Sequence, residues 1–129
     1  MDEITLTLPR EADFAGVVDL VVGGIGARFD FTIEALDDLQ TAFELLVVRE
    51  DGDGELTFRF RVSKSTFGAE VGPFDSRSIG AELSGAGDSQ LGLGRVLATI
   101  SDDVRLVEGD GGSWIVLRKE LELASATEF

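Results

Sequence analysis

The sequence predicts an α+β fold, a two-layer sandwich in which three helices cover one face of a mixed, mostly antiparallel sheet. Alternating apolar residues, typical of half-buried strands, occur near both ends of the chain and in its middle. Two segments in the first half instead repeat apolar residues every three to four positions, as core-facing helices do. The chain has 129 residues, of which 43% are hydrophobic, so we expect one domain over residues 1–129.

The first elements are a strand and a helix. Ile4–Leu8 alternates and stops at Pro9, which favours a strand at a sheet edge. The following helix should end near Ala27, where glycines weaken its last turns. Its apolar stripe consists of Phe14, Val17, Val18, Val21, Val22 and Ile25.

The second helix, over Ala35–Val48, has the clearest pattern in the chain. Thr32 is placed to accept a hydrogen bond from the first turn as its N-cap. The stripe that faces the core consists of Leu36, Leu39, Phe43, Leu46 and Val47.

A hairpin comes next. Leu56–Val62 alternates strictly, which places Phe58 towards the core and Arg59 and Arg61 towards solvent. Phe67–Val71 is predicted to be the returning strand.

The last third begins with residues 73–90, which are rich in Gly, Ser and Asp and predict a long, lid-like loop with one helical turn near Ile79–Leu83. A third helix is expected over Leu91–Ile100, and a final hairpin joins Asp103–Val107 to Ser113–Leu121. On the last strand, Trp114, Val116 and Arg118 should share one face, with Ile115 and Leu117 on the other.

The net charge of the chain limits the classes of macromolecule that it is expected to bind. The formal net charge is −14, from 25 acidic and 11 basic residues. Such a chain repels phosphate backbones and anionic lipid, so neither nucleic acid nor a membrane is expected as a partner, whereas a basic protein would be attracted. No segment resembles a membrane span or a signal peptide, so a cytoplasmic location is the default expectation.

Absent residue types exclude several chemistries. The chain contains no His, Cys, Tyr or Asn. Nucleophile systems that need His or Cys are therefore excluded, as are zinc sites built from those residues. Glu50–Gly54 opens like a calcium loop, but Leu56 and Val62 occupy positions that require Gly and Glu, so we predict a turn and no metal site.

Three stretches carry a resemblance to a known family: FDFTIEALDDLQTAFELLV, LGLGRVLATISDDVRLVE and GGSWIVLRKEL. Together with the order of elements, they make Ile4–Leu121 resemble the bacterial anti-sigma regulatory factor / serine-protein kinase family, which has the histidine-kinase-like ATPase (GHKL, Bergerat) fold. The resemblance implies binding of ATP with Mg²⁺ beneath a flexible lid. It also implies phosphorylation of a STAS-type antagonist on Ser or Thr, inhibitory binding of a sigma factor, and a homodimer.

The first family motif is Glu-x-x-x-Asn on the second helix, and this chain has neither residue at the matching positions. The Glu supplies a base and the Asn holds Mg²⁺, and the best register places Leu45 and Arg49 at these positions. Glu44 lies one residue away. It would be catalytic only if the chain is an active kinase, and is otherwise a solvated carboxylate.

The second motif, Asp-x-Gly-x-Gly, binds adenine in the family. Its nearest counterpart is Glu70-Val71-Gly72-Pro73-Phe74, in which Glu70 and Gly72 occupy the motif positions. The alternative is that Glu70 is an exposed strand residue and Gly72 belongs to a turn.

The third motif, Gly-x-Gly at a helix start, fits Gly92 and Gly94, whose lack of side chains would let phosphate approach the backbone. The alternative is a tight entry into the helix. If the chain retains a nucleotide site, its predicted contacts are therefore Glu70, Gly72, Gly92 and Gly94.

Two functions compete. In the first, favoured because two of three motifs are altered, the chain acts in sigma-factor partner switching by binding proteins and is not an enzyme. In the second, it is an active Mg-ATP-dependent serine kinase of a STAS-type antagonist. An unrelated α+β domain is the third alternative. The binding hypothesis predicts an exposed apolar patch on the first helix (Phe14, Val18) or on the uncovered face of the sheet (Trp114, Phe58 or their neighbours). No cofactor is certain; ATP and Mg²⁺ are implied by the resemblance alone.

Overall fold

The computed structural model describes residues 2–49, 53–83 and 93–121. The described chain has five strands and four α-helices, with one short 3₁₀ turn at Ala12–Phe14. The strands are β1 (Asp2–Pro9), β2 (Glu55–Ser63), β3 (Thr66–Phe74), β4 (Asp103–Gly109) and β5 (Gly112–Glu120). The helices are α1 (Ala15–Arg28), α2 (Ile33–Arg49), α3 (Ser76–Leu83) and α4 (Leu93–Ile100).

The chain divides into two compact units. The first comprises Met1–Thr7 and Leu56–Glu120, and the second comprises Leu8–Glu55 and Leu121–Phe129. The first therefore holds most of the sheet with α3 and α4, whereas the second holds α1 and α2.

The sheet has the strand order β1-β2-β3-β5-β4. The pairs β2–β3, β3–β5 and β4–β5 are antiparallel. Thr7 meets Thr57 and Glu3 meets Arg61 across β1 and β2, so these two strands also run in opposite directions. The predicted α+β fold with a mostly antiparallel sheet is confirmed.

One face of the sheet carries the core of the first unit. Phe58, Phe60 and Phe67 are at most 1% exposed, and their rings stack in sequence with centroids 5.8 and 6.0 Å apart. Ile115 and Leu117 continue this apolar layer on β5. The alternation predicted for Leu56–Val62 and for the last strand is therefore confirmed.

In the second unit, α1 and α2 pack against each other. A Cβ added at Gly26 would lie 3.1 Å from Leu36 Cδ1, so the absence of a side chain brings the two helices close. Thr32 caps α2 as predicted, since its Oγ1 accepts a hydrogen bond from Ala35 N at 3.1 Å.

A fourth helix, α3, occupies Ser76–Leu83, where the sequence predicted a loop with one helical turn near Ile79–Leu83. Residues 73–74 complete β3, and Asp75 then caps α3 by accepting a hydrogen bond from Ser78 N at 2.9 Å. Ile79 is fully buried and anchors the helix. Residues 84–90 of the predicted lid-like loop, together with Leu91 and Gly92, lie outside the described residues.

Candidate functional site

The motif positions on α2 hold an apolar residue and a cation. Leu45 is 41% exposed, and Arg49 lies one helical turn further along α2. Neither side chain can act as a carboxylate base, and the Arg49 guanidinium repels a divalent cation. Because residues four apart project from the same side of a helix, both substitutions fall on one face of α2.

Glu44 is engaged with a carboxyl group of α1. Burial, together with a hydrogen bond and repulsion from Glu44, raises the pKa of Asp19 from 3.8 to about 6. Gln40 donates a hydrogen bond to the Asp19 carbonyl at 2.9 Å, and Oδ1 of Asp19 is buried without a partner among the described residues. Near neutral pH, Glu44 thus faces an acidic neighbour in α1.

Glu70 and Gly72 lie on the face of the sheet opposite the apolar core. Glu70 forms an ion pair with Arg59 at 3.3 Å, and the Arg59 guanidinium stands 4.9 Å from the ring centroid of Trp114. A Cβ at Gly72 would lie only 2.6 Å from Trp114 Cδ2. Gly72 therefore makes room for the indole ring, and Glu70 neutralises the arginine beside it.

Helices α3 and α4 lie over the face of the sheet that carries the apolar core. Ser76, the first residue of α3, contacts the buried Ser113 hydroxyl at 2.6 Å, and Lys119 Nζ donates to the Ile100 carbonyl at the end of α4 at 2.6 Å. Ser113 and Lys119 alternate with Trp114 and Val116 along β5, so they project from the core side.

The structure therefore brings two of the four predicted nucleotide contacts together. Glu70 and Gly72 share one face with Arg59 and Trp114, whereas Gly94 belongs to α4 on the core side. Gly92 lies outside the described residues. The nucleotide-binding role of these residues stays a prediction.

The face of the sheet that carries Arg59, Glu70 and Trp114, called here the open face, is the most distinctive polar surface of the first unit. A cavity of about 230 Å³ on it is lined by four arginines: Arg59, Arg61, Arg105 and Arg118. Strict alternation in LTFRFRV already placed the first two towards solvent. Alternation on the last strand likewise placed Arg118 opposite Ile115 and Leu117. That Arg105 and Arg118 lie beside the first two arginines depends on the pairing of β5 with β3 and β4, which no local pattern encodes.

Two of the residues predicted to belong to an exposed apolar patch do not, although Val107, which pairs with Trp114, is 44% exposed. Val18 and Phe58 are both fully buried, since each lies on the inward stripe of its own element. Phe14 and Trp114 are partly exposed. Among the described residues, no group of three or more acidic side chains could hold a metal ion, and no helix is both long and apolar enough to cross a membrane.

Comparison with known proteins finds relatives that are all named as the serine-protein kinase RsbW. The serine-protein kinase RsbW of Listeria monocytogenes serovar 1/2a is 30% identical over an alignment of 140 residues, covering 91% of this chain and 87% of the relative. RsbW of Bacillus subtilis is 24% identical, covering 93% and 86%. No protein-family model matches the chain.

A solved structure supports the fold. The crystal structure of the RsbU and RsbW domains of a Mycobacterium tuberculosis protein superposes with a TM-score of 0.65 at 13% identity. The superposition covers 94% of this chain but 33% of that longer one, so this chain spans about a third of its length. The identity and coverage of the Listeria relative establish that the chain belongs to the RsbW serine-protein kinase family.

Proposed function

We propose that the chain is an anti-sigma regulatory factor-like protein that acts by protein–protein binding in a sigma-factor partner-switching pathway, with its ATP site degraded. The observation that carries this proposal is Arg49 at the position of the family's Mg²⁺-binding Asn, in a chain without any Asn. A sigma factor or a STAS-type antagonist would be its partner, in the cytoplasm, with the chain acting as a monomer or a homodimer.

The metal position matters because phosphoryl transfer depends on neutralising phosphate charge. Family enzymes use Mg²⁺ for this purpose, and losing such an element typically costs orders of magnitude in rate. A guanidinium can bind phosphate, but it cannot organise water and phosphate oxygens as Mg²⁺ does. Glu44 does not compensate, since its carboxyl group faces Asp19.

The alternative is an active Mg-ATP-dependent serine kinase of a STAS-type antagonist. It is favoured by the names of the relatives, which are serine-protein kinases. It would require Glu44 to act as the base, and Glu70, Gly72, Gly92 and Gly94 to hold the nucleotide.

Calorimetric titration with ATP, with and without Mg²⁺, separates the two. We expect no Mg²⁺-dependent binding at millimolar ATP and no transfer of labelled phosphate to a STAS-type domain. The matched variant Leu45→Glu/Arg49→Asn restores both motif residues and serves as the comparison. Mg²⁺-dependent binding by the unaltered chain, followed by phosphate transfer, would establish the kinase instead.

A further inference from the structure

The strand β4 forms one edge of the described sheet. It pairs with β5 along its whole length, and it stands last in the strand order β1-β2-β3-β5-β4. In an antiparallel pair, every second residue directs its N–H and C=O away from the partner strand. The seven residues of β4 therefore present a row of backbone donors and acceptors, about 24 Å long, that can hydrogen-bond to one more strand.

Apolar side chains stand at this edge on both faces of the sheet. Leu106 is 36% exposed and pairs with the buried Ile115, so it lies on the core side. Val107 is 44% exposed and pairs with Trp114, so it lies on the open face. Because successive side chains of a strand point to opposite faces, two consecutive apolar residues of an added strand would cover Leu106 and Val107 together.

The edge at β4 has few of the features that prevent strands from pairing with other chains. Proteins protect sheet edges with lysines and prolines, and β4 contains neither. Its one basic side chain, Arg105, is held by Asp103 in an ion pair at 3.3 Å. The opposite edge strand, β1, instead ends at Pro9, which has no N–H to donate to an added strand.

The edge is acidic, whereas the charges of the open face balance. Asp102–Asp110 carries a net charge of −3, from four carboxylates less one arginine. After the pair of Asp103 with Arg105, the remaining acids are Asp102, Glu108 and Asp110. The four arginines of the open face each lie within 3.3 Å of a carboxylate of this chain, so that face attracts neither sign.

Two of these acids are held in place by neutral donors. Asp102 Oδ2 accepts a hydrogen bond from Glu120 N at 2.6 Å, and Glu108 Oε2 accepts one from the Ser113 hydroxyl at 2.6 Å. Neither donor carries a positive charge that would offset the carboxylate. A second copy of the chain would bring another edge of charge −3 and be repelled, so the edge favours a basic occupant.

We propose that the free edge of β4 binds an extended basic segment of a partner protein as a sixth strand of the sheet. Two consecutive apolar side chains of the segment cover Leu106 and Val107, and flanking lysines or arginines lie near Asp102, Glu108 and Asp110. Backbone hydrogen bonds supply affinity, and the side chains fix the register. The inference rests on the proposed protein-binding role, because it names the surface and the kind of segment that this role would use.

The test uses a fluorescein-labelled peptide, Lys-Thr-Lys-Val-Val-Lys-Thr-Lys, at physiological ionic strength. Two further versions carry N-methyl groups on alternate backbone amides, one version on each set, and keep the charge of the parent. In a bound strand one set of amides faces β4 and the other faces solvent. We expect saturable binding of the parent by fluorescence anisotropy, at least tenfold weaker binding of one methylated version, and less than threefold weaker binding of the other.

A matched pair of variants locates the site. Val107→Lys places a cation on the edge and should weaken binding at least tenfold. Val48→Lys makes the same change of charge at a valine of α2 that is 53% exposed, and should weaken binding less than twofold. The peptide should also slow amide hydrogen exchange in β4 and leave exchange in β1 unchanged.

Several results would overturn the proposal. One is the absence of saturable binding. Equal weakening by both methylated versions, or by Val107→Lys and Val48→Lys, would show that the peptide is held only by the acidic surface as a whole. A dimer of the free chain in light scattering that Val107→Lys dissociates would assign the edge to a second copy.

Two features keep the test decisive. If Val107→Lys does not fold, the methylated peptides still decide the question, because they use the unaltered chain. ATP titration reports separately on the proposed loss of the nucleotide site, which concerns Arg49 of α2 and not β4. Either proposal can therefore fail alone.

Discussion

Substitution of Gly72 by Ala tests the packing that defines the open face. The new Cβ would lie 2.6, 2.8 and 2.9 Å from Trp114 Cδ2, Cγ and Cε3. Carbon atoms pack at about 3.5–4.0 Å, so the indole ring must move away by about 1 Å. The φ angle of Gly72 is not in the left-handed region, so the cost is steric and not conformational.

The ring has little freedom to move. Its Nε1 donates to the Asp110 carbonyl at 3.0 Å, Arg59 stacks over it, and Gly109 lies so close that a Cβ there would be 2.9 Å from Cδ1. Overpacking costs about 1–3 kcal/mol, and the hydrogen bond and cation–π contact are worth about 1 kcal/mol each. Alanine also lowers the conformational entropy of the unfolded chain relative to glycine, which offsets the loss of stability by about 0.5 kcal/mol. We therefore expect a net loss of about 2 kcal/mol.

Urea unfolding followed by Trp114 fluorescence measures this loss at the site itself. A loss of 2 kcal/mol lowers the urea midpoint by about 1 M for a chain of this size. The control is Gly68→Ala, on the same face of β3, where the nearest atoms to a new Cβ are 3.9 Å away and stability should be unchanged or slightly higher.

A double-mutant cycle with Trp114→Leu, followed by circular dichroism, should show that Gly72→Ala costs less than about 0.5 kcal/mol once the indole is gone. Equal midpoints for Gly72→Ala and Gly68→Ala, or full additivity in the cycle, would refute the steric explanation.

Two further predictions concern the helical unit. The pKa of Asp19 is raised from 3.8 to about 6, so the folded state binds the proton more tightly and the stability that this provides is lost as the pH rises through 6. The raised pKa of Asp19 corresponds to at most about 3 kcal/mol of pH-dependent stability, which falls to about 1 kcal/mol after allowance for solvent screening. Asp19→Asn should therefore stabilise the protein by about 1 kcal/mol at pH 7.5 and flatten its pH dependence between 4 and 7 in thermal melts, whereas Asp38→Asn, at an exposed position of α2, should not. Thr32→Ala removes the bond to Ala35 N and should cost about 1 kcal/mol in urea unfolding, against almost none for Thr41→Ala at an exposed helical position.

Local periodicity was sufficient to predict most of the fold. Successive side chains in Leu56–Val62 point to opposite faces of the sheet. The buried position of Phe60 and the exposed position of Arg59 could therefore be predicted without knowing the partner strand. Thr32 could be identified as a cap for the same reason, because its acceptor and donor are three residues apart. Helix α3 was predicted only as one helical turn near Ile79–Leu83. Its full extent was missed because its start depends on the Asp75 cap and its anchoring in the core on Ile79 alone, a pattern too sparse to stand out among small and polar residues.

Which side chains come together in the candidate site is decided by the register between paired strands. Whether Glu70 faces α4 or the open face is decided by its pairing with Arg59 and Val116, which no local pattern encodes. The contact between Gly72 and Trp114 joins residues 42 positions apart (114 less 72), and the sequence showed the glycine only as part of a family motif. Sequence reasoning could find motif positions, but not which face of the sheet each one serves.

Three of the residues predicted for the nucleotide and catalytic motifs each have another contact in the structure. Glu70 is held by Arg59, Gly72 accommodates Trp114, and Glu44 faces Asp19, so each has a contact within its own unit. Reverting a single position would therefore leave the others committed to these contacts. On the proposed function, Glu70 and Gly72 no longer serve a nucleotide and instead contact Arg59 and Trp114 on the open face. This predicts that Leu45→Glu/Arg49→Asn alone does not restore Mg²⁺-dependent ATP binding in a calorimetric titration, because Glu70 stays paired with Arg59 and Gly72 stays against Trp114.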